Sequence, residues 1–342
     1  MTNAIKVNTS NRIVIFDYLK ALAIILVIVN HYVHLSWESF GNCILFPLIF
    51  KMPVPIFMIV TGCMNAMSYN KKYTRLSEMY MPKQILVRFL RFWIPFLFEF
   101  VVEMILTITL KRVSFTPLSV VQAFLVGGPG LNGSYYVPVL IQFSLLFPLI
   151  YVLVRKYNVK GLIICMAVNL LYEVVCTLIN IPSDVYRLLM PRYIAYVALG
   201  CWFYFKDYKI SKKTCYIMFA AGAAFFIVRF CGYRPFIFKK WTDTCMLAAF
   251  YIFPIVAALI MKFKDLKSAS GKVGRLVQTV GNASYHIFLI QMLYYNIFYR
   301  YITKQFNIPA VNIPLNIVLC VSVGIVFYYI EKGVSKRIIN SL

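Results

Sequence analysis

The chain has 342 residues, 61% of them hydrophobic and only 13% charged, with a mean hydropathy of +0.77. Soluble domains average about half apolar and about a quarter charged, so composition excludes a soluble globular protein and indicates an all-α polytopic membrane protein. The net charge of +24 does not mark a nucleic-acid binder, because the basic residues stand mainly in short loops between apolar runs.

Ten membrane spans are predicted, at approximately 13–35, 44–68, 84–110, 134–154, 160–180, 185–205, 214–232, 243–262, 277–302 and 309–330. With the N-terminus inside, 23 of the 35 Lys and Arg fall in cytoplasmic pieces, 8 in outer pieces and 4 within spans, so both termini are expected in the cytoplasm. The chain reads as a single membrane domain over 1–342, with no soluble domain and no long linker. Its N-terminus lacks a signal-peptide pattern, since the first apolar run is too long and no A-x-A site follows; that helix is expected to stay as an anchor. Nine scattered cysteines without a CxxC read as reduced core residues, and three histidines without HExxH-type spacing give no metal site.

The first span, IVIFDYLKALAIILVIVNHYVHL, carries Asp17, Lys20, His31 and His34. At 100° per residue, Lys20 and His31 lie about 20° apart around the helix, with Asp17 within roughly 60° of both. Along the axis Lys20 and His31 are about 16 Å apart, half the hydrocarbon thickness. Polar groups are costly in lipid, so this stripe is expected to face a protein interior or a water-filled cavity. The second span, KMPVPIFMIVTGCMN, has Pro53 and Pro55, which are expected to break the helical ladder early, and Thr61-Gly62, which permits close helix approach.

In the third span Arg88 and Arg91, at i and i+3, share a face at the inner boundary. Two guanidiniums there can grip a phosphate, although from spacing alone plain positive-inside anchoring is the favoured reading. Glu99 and Glu103 follow too deep for anchors and need a proton or a cation, for which Lys51 and Lys20 are candidates. The loop 111–133 contains GGPGLNG and is expected outside, with a re-entrant path open to it. The fourth span places Tyr135, Tyr136 and Gln142 at the outer mouth and in the core; Tyr136, Gln142 and Glu99 are candidates for contact with a bound substrate. Glu173, Arg192 and Arg229 are further ionisable groups within spans, and His286 reads as a satisfied core or interfacial histidine.

Six segments in order resemble the acyltransferase 3 family of membrane proteins. They are D-x-L-K-A-L-A-x-x-L-V-x-x-x-H over Asp17, Lys20 and His31; VPIFMIVTG at 54–62, with Thr61 where serine is usual; and K-x4-R-x2-R-x3-P at 83–95. After these come YxPVLIQxxLLFP ending at Pro148, with Tyr136 where tryptophan is more usual; GNASYxIFLIQ at 281–291, with Gln291 where a histidine often stands; and YYIEK before the basic tail. The departures at Tyr136 and Gln291 bear on the acceptor more than on the reaction class.

The resemblance implies ten spans in the plasma membrane of a bacterial cell. It implies acyl-coenzyme A, usually acetyl-coenzyme A, as the cytoplasmic donor, and a hydroxyl of a cell-envelope saccharide or lipid-linked glycan as acceptor. Some members carry an extra esterase-like domain outside the membrane; this chain ends soon after the tenth span, so transfer is expected within the membrane domain or with a partner. The expected roles are His31 as general base or acyl carrier, Asp17 as its remote helper through Lys20 or Arg88, and Lys20, Arg88 and Arg91 as a basic mouth for the donor's phosphates. Two rival readings use the same features. One is a transporter or flippase for a glycan or lipid-linked sugar, which would favour inverted repeats between the halves. The other is a membrane acyltransferase built around a buried histidine in a later span, for which His286 is the candidate.

Overall fold

The computed structural model describes residues 13–36, 43, 46–130, 135–233, 242–266, 271–306 and 308–341. The basic tail residues Lys6 and Arg12, the last part of GGPGLNG, and Arg234, Lys239 and Lys240 lie outside the described residues. All described regular structure is helical.

Helix α1 is Val14–Ser36, and a π-helical turn at Phe46–Phe50 leads into α2, Pro53–Lys72. The expected span 44–68 is interrupted early, as its prolines led us to expect: the π-helical turn ends at Phe50 and α2 starts anew at Pro53. Pro53 and Pro55 occupy the first turn of α2, where a missing N–H costs nothing, and Ile56 already donates to the Met52 carbonyl. The short helix α3, Leu76–Met79, is held by Glu78, which accepts from the backbone N–H groups of Thr74 (2.8 Å) and Arg75 (3.2 Å). Those bonds hold its carboxyl below the usual carboxylate range.

Helix α4, Pro82–Lys111, is 30 residues long, about 45 Å, with Pro95 inside it. Part of the expected outer loop is instead α5, Pro117–Val126, an apolar ten-residue helix too short to cross. It starts at Thr116, whose hydroxyl accepts from Ser119 N–H, and ends at Gly127 with φ +92°. Phe124 of α5 meets the rings of Trp93, Phe96 and Phe100, so α5 lies against the middle of α4, as a re-entrant piece would.

Helices α6, Tyr136–Tyr157, and α7, Val159–Leu178, meet at Asn158, where φ is +49°. The expected span 185–205 is three pieces: α8, Ser183–Leu188, a 3-10 turn at Met190–Tyr193, and α9, Ile194–Phe205. Pro191 removes a backbone donor there, and Gln142 of α6 supplies the missing order. Its Nε2 donates to the Leu188 carbonyl (2.8 Å) and its Oε1 accepts from Met190 N–H (3.0 Å).

Helix α10, Lys212–Phe230, is followed by a 3-10 turn at Thr242–Thr244 and α11, Ala248–Phe263. The expected span 277–302 is also divided. It comprises α12, Gly271–Asn282, then α13, Ser284–Leu293, a π-helical turn at Tyr294–Phe298, and α14, Tyr299–Ile302. Helix α15, Pro309–Asn340, continues past the expected end at residue 330.

Seven described stretches are long and apolar enough to cross a membrane: Val14–Leu35, Leu48–Lys72, Pro82–Lys111, Tyr136–Tyr157, Val159–Leu178, Lys212–Phe230 and Pro309–Asn340. The residues of the expected spans 185–205, 243–262 and 277–302 fall in shorter or interrupted helices. Helix α1 lies at the centre, packed on α2, α12, α13 and α15. Helices α2 and α9 approach most closely, as Thr61-Gly62 led us to expect: a Cβ on Gly62 would strike the Val197 carbonyl, and one on Gly200 the Ile59 carbonyl.

Candidate active site

A cavity of about 710 Å³ runs along α1, whose Lys20, Val27, Asn30, His31 and His34 form one wall. These positions recur at helical spacing on one face, so the polar stripe read from the sequence does face a cavity. From Lys20 to His34 the wall covers about 21 Å of helix axis. Its middle is apolar, walled by Val54, Phe57, Leu140 and Phe288, and its polar groups gather toward the two ends of α1.

At the Lys20 end, Asp17 is buried and its carboxylate meets Lys20 Nζ at 3.0 Å. Gln278 of α12 donates to the other carboxylate oxygen (3.4 Å), and Gly281 packs against the Asp17 backbone so closely that a Cβ would strike the carbonyl. Asp17 therefore fixes the ammonium that faces the cavity, and sits about four turns from His31.

Arg88 and Arg91 do not line the cavity. Arg88 donates to the Met79 carbonyl (2.5 Å), the Gln84 carbonyl (3.1 Å) and the Tyr69 hydroxyl, which fastens α4 to α2 and α3. Arg91 is exposed.

At the other end, the half-buried His31 ring stacks 6.0 Å from Tyr295, whose hydroxyl donates to the Ile28 carbonyl (2.8 Å). One turn on, His34 Nε2 accepts from Lys51 Nζ at 2.5 Å. Asp243 and Thr244 of the 3-10 turn complete this end. Each is held from behind: Asp243 pairs with Arg229 (2.5 Å), and Thr244 accepts from the fully buried Arg192. The Arg192 guanidinium also lies over the rings of Tyr186 (4.9 Å) and Tyr193 (5.1 Å), and Tyr186 donates to Glu173 (2.6 Å). Sequence reading marked Glu173, Arg192 and Arg229 one by one and missed Asp243; their assembly is tertiary.

Tyr136 lines the cavity, packed between Phe57 (6.1 Å) and Phe288 (5.2 Å). Gln142 and Glu99 do not line it. Gln142 is committed to residues 188–190. Neither Glu99 nor Glu103 pairs with Lys20 or Lys51, which are engaged by Asp17 and His34. Glu103 accepts from Asn296 (2.5 Å), and the Asn296 carbonyl oxygen accepts from Lys111 (2.5 Å). Glu99 is buried, and its Oε1 has no partner among the described residues. His286 is a core histidine, as expected, but only half satisfied: its Nε2 lies 2.9 Å from Glu331, while its Nδ1 is buried with no partner among the described residues.

The arrangement is a channel with an anchored cation at one end and an imidazole wall at the other, lined in between by apolar side chains. It can hold a long, partly anionic ligand and move a proton at His31. Comparisons with curated proteins and with solved structures find no match. A family model described as an acyltransferase domain matches residues 13–330, nearly the whole chain. The protein therefore belongs to the acyltransferase 3 family and is a membrane acyltransferase.

Proposed function

We propose that the protein is a membrane O-acyltransferase that moves an acyl group, acetyl by the family's usual chemistry, from cytoplasmic acyl-coenzyme A to a hydroxyl of a cell-envelope saccharide or lipid-linked glycan. The observation that carries this reading is the single cavity joining Lys20 to His31 along one helix. In this reading Lys20, oriented by Asp17, meets the donor's phosphates, with the exposed Arg91 at the approach. The rest of the donor threads the apolar middle, and its thioester reaches His31.

There the imidazole takes the proton of the acceptor hydroxyl while its oxygen attacks the thioester carbonyl. The tetrahedral intermediate collapses, the carbon–sulfur bond breaks, and the leaving thiolate recovers the proton from His31. General-base action of this kind contributes about 10²–10⁴-fold. If His31 instead carried the acyl group, labelled donor alone would leave label on the protein. In this reading the acceptor lies beside Tyr136 and Asn30, both of which line the cavity.

The reading includes ten crossings in the plasma membrane with both ends cytoplasmic. Seven crossings, an odd number, would put the ends on opposite faces, so shorter helices must also cross. The test is wild-type protein in nanodiscs with labelled acetyl-coenzyme A and a crude envelope-saccharide fraction. Label in the saccharide, with free coenzyme A released, supports transfer. Passage of unmodified saccharide without donor binding would replace it with the transporter reading.

A further inference from the structure

The His34 end of the cavity carries a charge that acyl transfer alone leaves unexplained. Lys51 Nζ donates to His34 Nε2 (2.5 Å) and lies 5.0 Å from the centre of the Phe46 ring. Among the described residues no carboxylate is within ion-pair distance of it. Asp243, on the same wall, is already bound to Arg229, and the buried Arg192 stands behind Thr244. This end thus holds more positive than negative charge among the described residues. A half-buried ammonium in a largely apolar cavity is costly without a counter-charge of its own; Asp243 attracts Lys51 only from beyond ion-pair distance while paired with Arg229, and neither an imidazole nor a ring face supplies one. One turn before His34, Asn30 Oδ1 is buried on the same cavity wall with no partner among the described residues, an acceptor for a hydroxyl.

We propose that this end is an oxyanion subsite for the acceptor: the saccharide carries a carboxylate or a phosphate ester that pairs with Lys51, while a neighbouring hydroxyl reaches Asn30 and His31. The word acceptor rests on the acyltransferase reading; the anion site itself does not.

The test is equilibrium binding of three probes to the full chain in nanodiscs: methyl glucuronide, glucose 6-phosphate and uncharged methyl glucoside. The wild type is compared with Lys51→Gln and Lys51→Arg. At least one charged probe is expected to bind about tenfold more tightly than the glucoside, and the better of the two identifies the anion. Lys51→Gln is expected to abolish that preference and Lys51→Arg to retain it. Equal binding of all three probes by the wild type, or no binding of either charged probe, would overturn the proposal, and both can be read even where a variant fails to fold. So would a preference that survives in Lys51→Gln, or a Lys51→Gln defect confined to acetyl-coenzyme A binding. Acetyl-coenzyme A turnover is measured in parallel. Charge preference without any turnover would sink the acyltransferase reading and leave the anion site standing.

Discussion

Lys20 and His31 reach the same cavity because eleven residues is close to three helical turns, and that was legible in the sequence as a stripe. The partner of Asp17 was legible too, since i and i+3 are neighbours on any helix. Lys51, Asp243 and Thr244 were not, because they come from segments far apart in the chain and no local period connects them to His34. Gln142 misled for a related reason: a polar side chain within an apolar helix signals a buried hydrogen bond, and the spacing does not say whether the partner is a ligand or the protein's own backbone. His286 and Glu331 lie on different helices and pair in the core, away from the cavity. Replacing His286 with Ala leaves Glu331 Oε2 without its partner, Ser335 holding only the other oxygen, and is expected to cost about 1–3 kcal/mol, read as a lower melting temperature, with donor binding unchanged. If transfer were lost while the melting temperature held, catalysis would move to His286 and the later-span acyltransferase reading would gain.

Among the elements, apolar length was read well and continuity poorly. Hydropathy registers composition over a window, so a π-helical turn at Tyr294–Phe298 or an irregular stretch at 189–193 passes unseen. Glycine positions, by contrast, translated directly into packing. Gly62 and Gly200 let α2 and α9 bring their backbones together, with Cys63 Sγ reaching the Gly200 carbonyl at 3.2 Å. Gly62→Ala and Gly200→Ala should each force these helices apart and cost about 1–3 kcal/mol in thermal unfolding. Gly333→Ala, where nothing stands within 4 Å, is the contrast: helix propensity makes it neutral or stabilising by up to about 1 kcal/mol. A Gly62→Ala protein that melts like the wild type would mean the two helices are not in this contact.

For the whole molecule, composition alone separated membrane from soluble, and the loop bias of Lys and Arg gave an orientation. That orientation predicts that a fluorescent-protein reporter fused after residue 341 lights up in the cytoplasm and an alkaline phosphatase there stays inactive. A phosphatase fused after Tyr233 is expected to be active, because the end of α10 should lie outside. The opposite pattern would reverse the molecule in the membrane and move the donor to the His34 end.

The central claim is that one helix face binds the donor at Lys20 and performs the transfer at His31. The most direct measurement follows labelled acetyl-coenzyme A on nanodisc-embedded wild type, Lys20→Ala and His31→Ala. Weakened donor binding is expected in Lys20→Ala. In His31→Ala, retained binding is expected, with turnover reduced about 10²–10⁴-fold. Full transfer activity in His31→Ala would contradict the central claim.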